Sequence, residues 1–244
     1  MRSLPLEKLL NRSPLYESKI ISSILLVMLK KYLPKIAGIL LIVAVVALIG
    51  LAFLVHYHSV FRLDIFLSRD IQAEGDTVAR KSVILDVLTW VSYFGKPFVT
   101  AAMVFVVASI FWLYKYYRET IFVLCTPIAA GINFIIKLIV DRPRPSDTLV
   151  NVLDRELDPS FPSGHVNFYV VFFGFLIATM FMTPKIPLLI RVLVVLFSLG
   201  MIIAVSFSRI YLGAHWATDV LGGYLLGFIL LSILLYFYLR PTPK

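Results

Sequence analysis

Residues 159–168 read Pro159-Ser160-Phe161-Pro162-Ser163-Gly164-His165-Val166-Asn167-Phe168. The stretch closes a polar loop and opens a run of Phe, Val, Tyr and Leu suited to a bilayer. A histidine at that threshold has no use in a plain turn, and lipid penalises an ionisable group, so its depth marks it as a candidate for function. Its meaning depends on what else the chain brings to the same depth.

The chain has 244 residues, 60% of them hydrophobic, and a mean hydropathy of +0.92. A soluble domain is nearer half apolar, and a spanning helix needs about 20 mostly apolar residues. Six runs meet that need, at roughly 36–56, 97–114, 119–140, 166–183, 187–207 and 219–239. The expected fold is therefore an all-α, polytopic membrane helix bundle of six transmembrane helices. The segment 78–94 is a rival span, but Asp86 and its polar start read better as a surface helix in the first outer loop. Pro127 falls mid-helix in the third span, where neighbouring helices tolerate a kink. Polar connections are short, so residues 36–240 are expected to form one domain. Residues 1–35 read as a basic cytoplasmic segment, in which 20–29 is too short to cross and is expected to lie along the inner interface, with Lys30, Lys31 and Lys35 toward anionic headgroups. The run 36–55 is too long for the core of a cleavable signal and lacks a small-x-small site, so it reads as an uncleaved first span. The single cysteine, Cys125, excludes an intrachain disulfide, and no zinc spacing occurs.

With the N-terminus inside, more than half of the 23 Lys and Arg residues face the cytoplasm, as the positive-inside rule asks. Three polar connections then share the outer side. The first is Lys137 through Arg144-Pro145, the second Pro162-Ser163-Gly164-His165, and the third Ser208-Arg209 through His215 to Asp219. Lys137, Arg144 and Arg209 gather three positive charges that would repel one another without an anion. Arginine offers planar, bidentate donors suited to phosphate, and lysine a point charge. Ser163 and Gly164 stand at a helix start, where free N–H groups favour an anion and glycine permits close approach. The i, i+4 spacing of His215 and Asp219 lets the carboxylate fix one ring nitrogen and free the other for attack. His165 remains as an acid for the departing oxygen. A rival reading makes His215, Asp219 and His165 metal ligands, against which the three cations weigh. Taken singly, Lys137 could snorkel to the interface and Ser163-Gly164 could be a plain cap and turn. Arg142-Pro143 reads as an ordinary loop start or a secondary contact.

The three blocks together resemble the type 2 phosphatidic acid phosphatase family, the membrane branch of the superfamily that includes the vanadium haloperoxidases. That family's pattern is Lys-x6-Arg-Pro, then Pro-Ser-Gly-His, then Ser-Arg-x5-His-x3-Asp. Lys137 to Pro145, Pro162 to His165, and Ser208 to Asp219 meet it in order and at the right spacing. The resemblance implies His215 as a nucleophile that forms a phosphohistidine, His165 as general acid and Asp219 as orienter. It implies Lys137, Arg144, Ser163, Gly164 and Arg209 as the phosphate cradle, with no metal and no cofactor. The expected function is hydrolysis of a lipid phosphate monoester or diphosphate, with undecaprenyl diphosphate, phosphatidic acid and phosphatidylglycerophosphate as candidates. The alternative is a lipid-phosphate or anion transporter that uses the same cations without chemistry. The expected partners are the bilayer and a membrane lipid phosphate, not a nucleic acid. The small plan, without an outward Asn-x-Ser/Thr site, points to a bacterial plasma membrane with the active site on the extracytoplasmic side.

Overall fold

The computed structural model describes residues 14–73 and 78–241. Residues 1–13 of the expected basic segment, and the side chains of Lys30 and Lys31, lie outside the described residues. The chain divides into two compact units, Met1–Val43 and Ala44–Lys244. Among the described residues every regular element is a helix: α1 Pro14–Tyr57, α2 Arg62–Ala73, α3 Val78–Tyr93, α4 Pro97–Leu113, α5 Tyr117–Cys125, α6 Ile128–Val140, α7 Gly164–Met182, α8 Leu188–Tyr211 and α9 Ala217–Leu239.

The all-helical membrane fold agrees with the sequence. Among the described residues five segments are long and apolar enough to cross a bilayer: Pro34–Tyr57, Tyr117–Val140, Gly164–Met182, Leu188–Tyr211 and Ala217–Leu239. The expected span at 97–114 is shorter than the other five. It forms a sixth crossing only together with Ser82–Tyr93, and the pair bends by 66° at the break. Segment 78–94 thus folds as a helix of its own, Val78–Tyr93, and not as a straight continuation of α4. Lys96 leads into Pro97 at the first helical position of α4, where a missing N–H costs nothing and φ is already helical. The third span breaks into α5 and α6 at Thr126-Pro127, as proline's missing donor and ring clash require. α2 has no counterpart in the hydropathy profile, because it is polar overall. Its buried Asp64 and Ser68 are four residues apart and so share one face.

Two faces explain the packing. α7 buries nearly all of its length, and a helix apolar all round belongs at the centre. α8 and α9 flank it, with Leu189 and Leu196 of α8 and Phe237 of α9 exposed on their outer faces. Close approach of α9 to α7 depends on small residues. A Cβ at Gly223 would stand 2.8 Å from Ser163 O, and one at Gly227 would stand 2.7 Å from Val170 Cβ. The end of α6, the start of α7, the end of α8 and the start of α9 consequently meet at one end of the bundle, where all three sequence blocks lie.

Candidate active site

Lys137 sits in the last turn of α6 and is 4% exposed. Asp141 then takes a left-handed conformation (φ 47°) and its N–H closes on Lys137 O, so the helix ends in a standard left-handed stop. The next residues, Arg142-Pro143-Arg144-Pro145, form no helix or strand. A regular extended chain would send residues two apart to the same side, but this segment is irregular and its two arginines part. Arg144 turns to the three-block cluster and Arg142 to a separate buried network.

The cations converge, and each carries a carboxylate partner from the loop before α7. Lys137 Nζ lies 2.5 Å from Asp158 Oδ2. Arg144 Nη2 lies 2.8 Å from Asp158 Oδ1 and 2.7 Å from Glu156 Oε2. Arg209 meets Asp154 at 2.9 Å and Glu156 Oε1 at 2.7 Å, and also donates to Ser92 Oγ at 2.5 Å. Asp154, Glu156 and Asp158 alternate with Arg155 and Leu157. Arg155 pairs outward with Asp147 and Leu157 is fully exposed, so the period of two puts three acids on the cationic side. Glu156 bridges the two guanidiniums and lies between the two histidines, 3.8 Å from His165 Nδ1 and 3.9 Å from His215 Nε2. Burial alone would raise the Glu156 carboxyl, but the charges of Arg209, Arg144 and Lys137 outweigh it and hold its pKa below the ordinary 4.5. Asp158 is likewise held low by Lys137 and Arg144 against the opposing effect of burial.

His215 lies just before α9 and is 1% exposed. Its Nε2 faces Arg144 Nη1 at 3.3 Å and Glu156; its Nδ1 faces Ser160 Oγ at 3.4 Å. Burial, then the charges of Arg144, Lys137 and Arg209, push its pKa well below 6.5. The ring is therefore neutral at neutral pH. The i, i+4 spacing from Asp219 does not run along a helical turn, because His215 precedes the helix. Asp219 stands in the first turn of α9, where Oδ2 accepts the Trp216 N–H at 2.8 Å and so caps the helix start. Its approach to His215 Nδ1 is 3.6 Å, longer than a hydrogen bond. Ser160 Oγ, 2.5 Å from Asp219 Oδ2, lies beside both. With Nδ1 on the Asp219 and Ser160 side, the lone pair of Nε2 is directed to the cationic side.

His165, at the start of α7, keeps Nε2 buried without a partner. Its ring lies on Gly95, where a Cβ would come within 1.9 Å of Cδ2. Ser163 Oγ is also buried and unpartnered. The Ser163 N–H donates to Asp219 O at 3.0 Å, so the backbone free to meet an anion begins at Gly164. A cavity of about 720 Å³ runs from this end between α4 and α6, lined by Pro97, Ala101, Ala130 and Phe134, with Lys137 and His165 among its walls. Among the described residues no group of three His, Cys, Asp or Glu side chains is placed to hold a metal ion.

The sequence missed Glu156, Asp158, Asp154 and Ser160. The alternating acids before Pro-Ser-Gly-His were a legible signal, since three cations at one depth need counter-charge. Asp64 and Arg142 carried no such signal.

A family model described as the PAP2 superfamily matches residues 118–243, more than half of the chain. The chain belongs to that superfamily. This PAP2 protein is similar to phosphatidylglycerophosphatase B of Bacillus subtilis, 28% identical over 170 residues that cover 66% of this chain and 81% of the relative. Its fold is similar to the crystal structure of a transmembrane PAP2-type phosphatidylglycerolphosphate phosphatase from Bacillus subtilis, with TM-score 0.68, 22% identity and coverage of 81% of this chain and 94% of that one. It is also similar to LpxE of Aquifex aeolicus, with TM-score 0.51, 22% identity and coverage of 71% and 94%. The PAP2 protein is accordingly a multi-pass membrane phosphatase acting on lipid phosphate esters. Between hydrolysis and transport, the family decides for hydrolysis.

Proposed function

We propose that this PAP2 phosphatase removes the terminal phosphate of a membrane glycerolipid, with phosphatidylglycerophosphate the foremost candidate, through a phosphohistidine at His215. The observation that carries the reading is the position of Glu156. An anionic group already rests on Arg144 and Arg209 within 4 Å of both histidines. A substrate phosphate takes that seat, displacing the carboxylate, with Lys137 and the backbone from Gly164 as further donors and Ser163 Oγ as an uncommitted one. His215 Nε2 then attacks phosphorus and the bond to the lipid oxygen breaks. His165 gives that oxygen its proton, and the lipid leaves as an alcohol. Water next attacks the phosphohistidine, passing a proton back to His165 and releasing phosphate. Asp219 stabilises the positive ring through Ser160 and the close approach at 3.6 Å.

The cavity between α4 and α6 supports a lipid substrate. Between α4 and α6 its walls include the apolar Pro97, Ala101, Ala130 and Phe134, and at the site end Lys137, Glu156, Asp158 and His165 line it, so an acyl chain stays in the bilayer while the headgroup reaches the histidines. The relative's name favours phosphatidylglycerophosphate over phosphatidic acid and undecaprenyl diphosphate. We further assign the site to the extracytoplasmic face of a bacterial plasma membrane, from the positive-inside distribution of Lys and Arg. The domain is taken as 36–240, preceded by a basic cytoplasmic segment whose residues 20–29 lie along the inner interface.

Phosphate release by purified protein from the three lipids in one detergent tests the substrate. The reading expects the highest kcat/KM with phosphatidylglycerophosphate and none with His215→Ala. A preference for undecaprenyl diphosphate would overturn the substrate class, and turnover by His215→Ala the mechanism. Sidedness is tested with Cys125 replaced: Thr148→Cys should label from outside intact cells and Lys185→Cys should not. The reverse would put the site in the cytoplasm.

A further inference from the structure

The site leaves one buried charged pair unused. Asp64, in the first turn of α2, is 0% exposed, and Arg142 is 1% exposed. Neither contacts Glu156, Lys137, Arg209 or His165 through any hydrogen bond or ion pair. Two charges withdrawn this far from water need close compensation, and the compensation leads to the reacting histidine. Arg142 Nη2 meets Asp64 Oδ2 at 2.7 Å, and Nη1 meets Asp219 Oδ1 at 2.5 Å. Nη1 also donates to Thr218 Oγ1 at 2.7 Å, and Nε to Ser59 O at 2.9 Å. The other Asp64 oxygen accepts the Thr218 N–H at 2.9 Å. The ring of contacts joins α2, the segment after α6 and the start of α9.

We propose that Asp64 and Arg142 are positioning residues for the hydrolysis: together they fix the Asp219 carboxylate, and through it the ring of His215. The inference rests on the assignment of His215 as nucleophile and Asp219 as its orienter. Asp219 spends Oδ2 on Ser160 and on the Trp216 N–H. Among the described residues only Arg142 reaches Oδ1, so its fork sets the plane in which Oδ2 faces His215 Nδ1. A guanidinium suits the task because one planar group spans two carboxylates, which a lysine point charge cannot do. Asp64 aims that guanidinium from the far side and balances its charge. The three groups together carry one net negative charge, which supports an imidazolium forming at His215. Partners that orient metal-binding histidines are worth about 10- to 100-fold in activity, and an effect of that order is expected here.

A purely structural clamp would also be buried and would also cost stability when cut, so the test reads what a clamp does not move. Asp64→Asn, Arg142→Gln and the double variant are purified. Each is measured for thermal unfolding, kcat, KM, vanadate inhibition and the acid limb of kcat/KM against pH. His215→Ala serves as the reference. Arg142→Gln should lose about 10- to 100-fold in kcat with KM and vanadate inhibition little changed. Its acid limb should move to higher pH, because removing a positive charge near Asp219 makes a proton on His215 easier to hold. Asp64→Asn should move the limb the opposite way, because it removes a negative charge. The other charged groups facing His215 stay as they are: Arg144 and Lys137 from α6 and the segment after it, Arg209 from α8, Glu156 from the loop and Asp219 from α9. The double variant replaces an ion pair by two amides that can bond each other. Its unfolding temperature should recover relative to Arg142→Gln while kcat stays low. If Arg142→Gln alone does not fold, the double variant still gives the kcat reading and Asp64→Asn the limb reading, which must move to lower pH. Recovery of kcat together with stability, or limbs that do not move in opposite directions, would make the pair a clamp and overturn the proposal. Turnover by His215→Ala would instead overturn the reading on which it rests.

Discussion

Replacing Glu156 by Gln removes a charge from the seat that the proposed mechanism gives to substrate phosphate. Glu156 meets Arg144 and Arg209 at 2.7 Å each, and a quarter of its side chain is exposed. Its carboxyl is held below the ordinary 4.5, so it is ionised throughout the neutral range and competes with every incoming anion. Hydrogen bonds to charged groups contribute about 1.5–3 kcal/mol each, and partial exposure favours the lower figure. Glutamine keeps one carbonyl acceptor for one guanidinium and turns an N–H₂ toward the other, so roughly one such bond, ~1.5 kcal/mol, is lost. A competitor weakened by that amount raises the apparent affinity of its rival about tenfold. KM for a lipid phosphate and the inhibition constant of vanadate should both fall by about that factor. Vanadate is the cleaner probe, because it has no tail to partition into micelles. Turnover at saturation should change by less than about threefold, since in this mechanism Glu156 has left the seat before the chemical step. A higher KM, or a large loss of kcat with vanadate inhibition unchanged, would refute the reasoning and make Glu156 part of the machinery that handles His165.

His165→Ala should reduce turnover of a lipid phosphate monoester by about a hundred- to ten-thousandfold, as for loss of a general acid, and reduce turnover of an aryl phosphate much less. An equal loss with both substrates in parallel kcat/KM measurements would assign His165 to binding. Gly95→Ala drives a methyl group to within 1.9 Å of the His165 ring. It should reproduce the His165→Ala substrate selectivity at a stability cost of about 1–3 kcal/mol, read by thermal unfolding beside the same two assays. The acid limb of kcat/KM should lie below pH 6.5, because burial and the charges of Arg144, Lys137 and Arg209 lower the His215 pKa. The neutral ring then persists as pH falls, and activity is lost only as pH drops through that lowered value. A limb above 6.5 in a pH series would contradict it.

Much of this arrangement could be read in the chain before folding, because hydropathy and motif spacing are local. The runs at 119–140, 166–183 and 219–239 gave real helices, and Pro127 gave a real break. The pairing of α3 with α4 was illegible for a physical reason. A 66° bend between two helices leaves no mark in a hydropathy window, which sees only length and composition. α2 was invisible because it is polar and short, and its value lies in one buried face. Motif order placed Lys137, Arg144, Arg209, His165 and His215 at one depth, but not how they are neutralised. Glu156 and Asp158 act across a loop: their alternation with Arg155 and Leu157 could be read, but not which cation each of them meets. The His215–Asp219 spacing suggested a helical pair. The structure instead makes Asp219 the cap of α9 and interposes Ser160. Spacing fixes a register only where the backbone is known to be helical.

The claim that the reaction passes through His215 is tested most directly by trapping the phosphorylated enzyme. Purified protein is mixed with lipid substrate carrying a labelled terminal phosphate, quenched in alkaline denaturant within one turnover, digested and mapped. The account predicts label on the peptide that holds His215, stable in base and lost in acid. It predicts no label in His215→Ala, and more label in His165→Ala when an aryl phosphate is the donor, because the water step then lacks its base. Label at any other residue, or full turnover by His215→Ala, would contradict it.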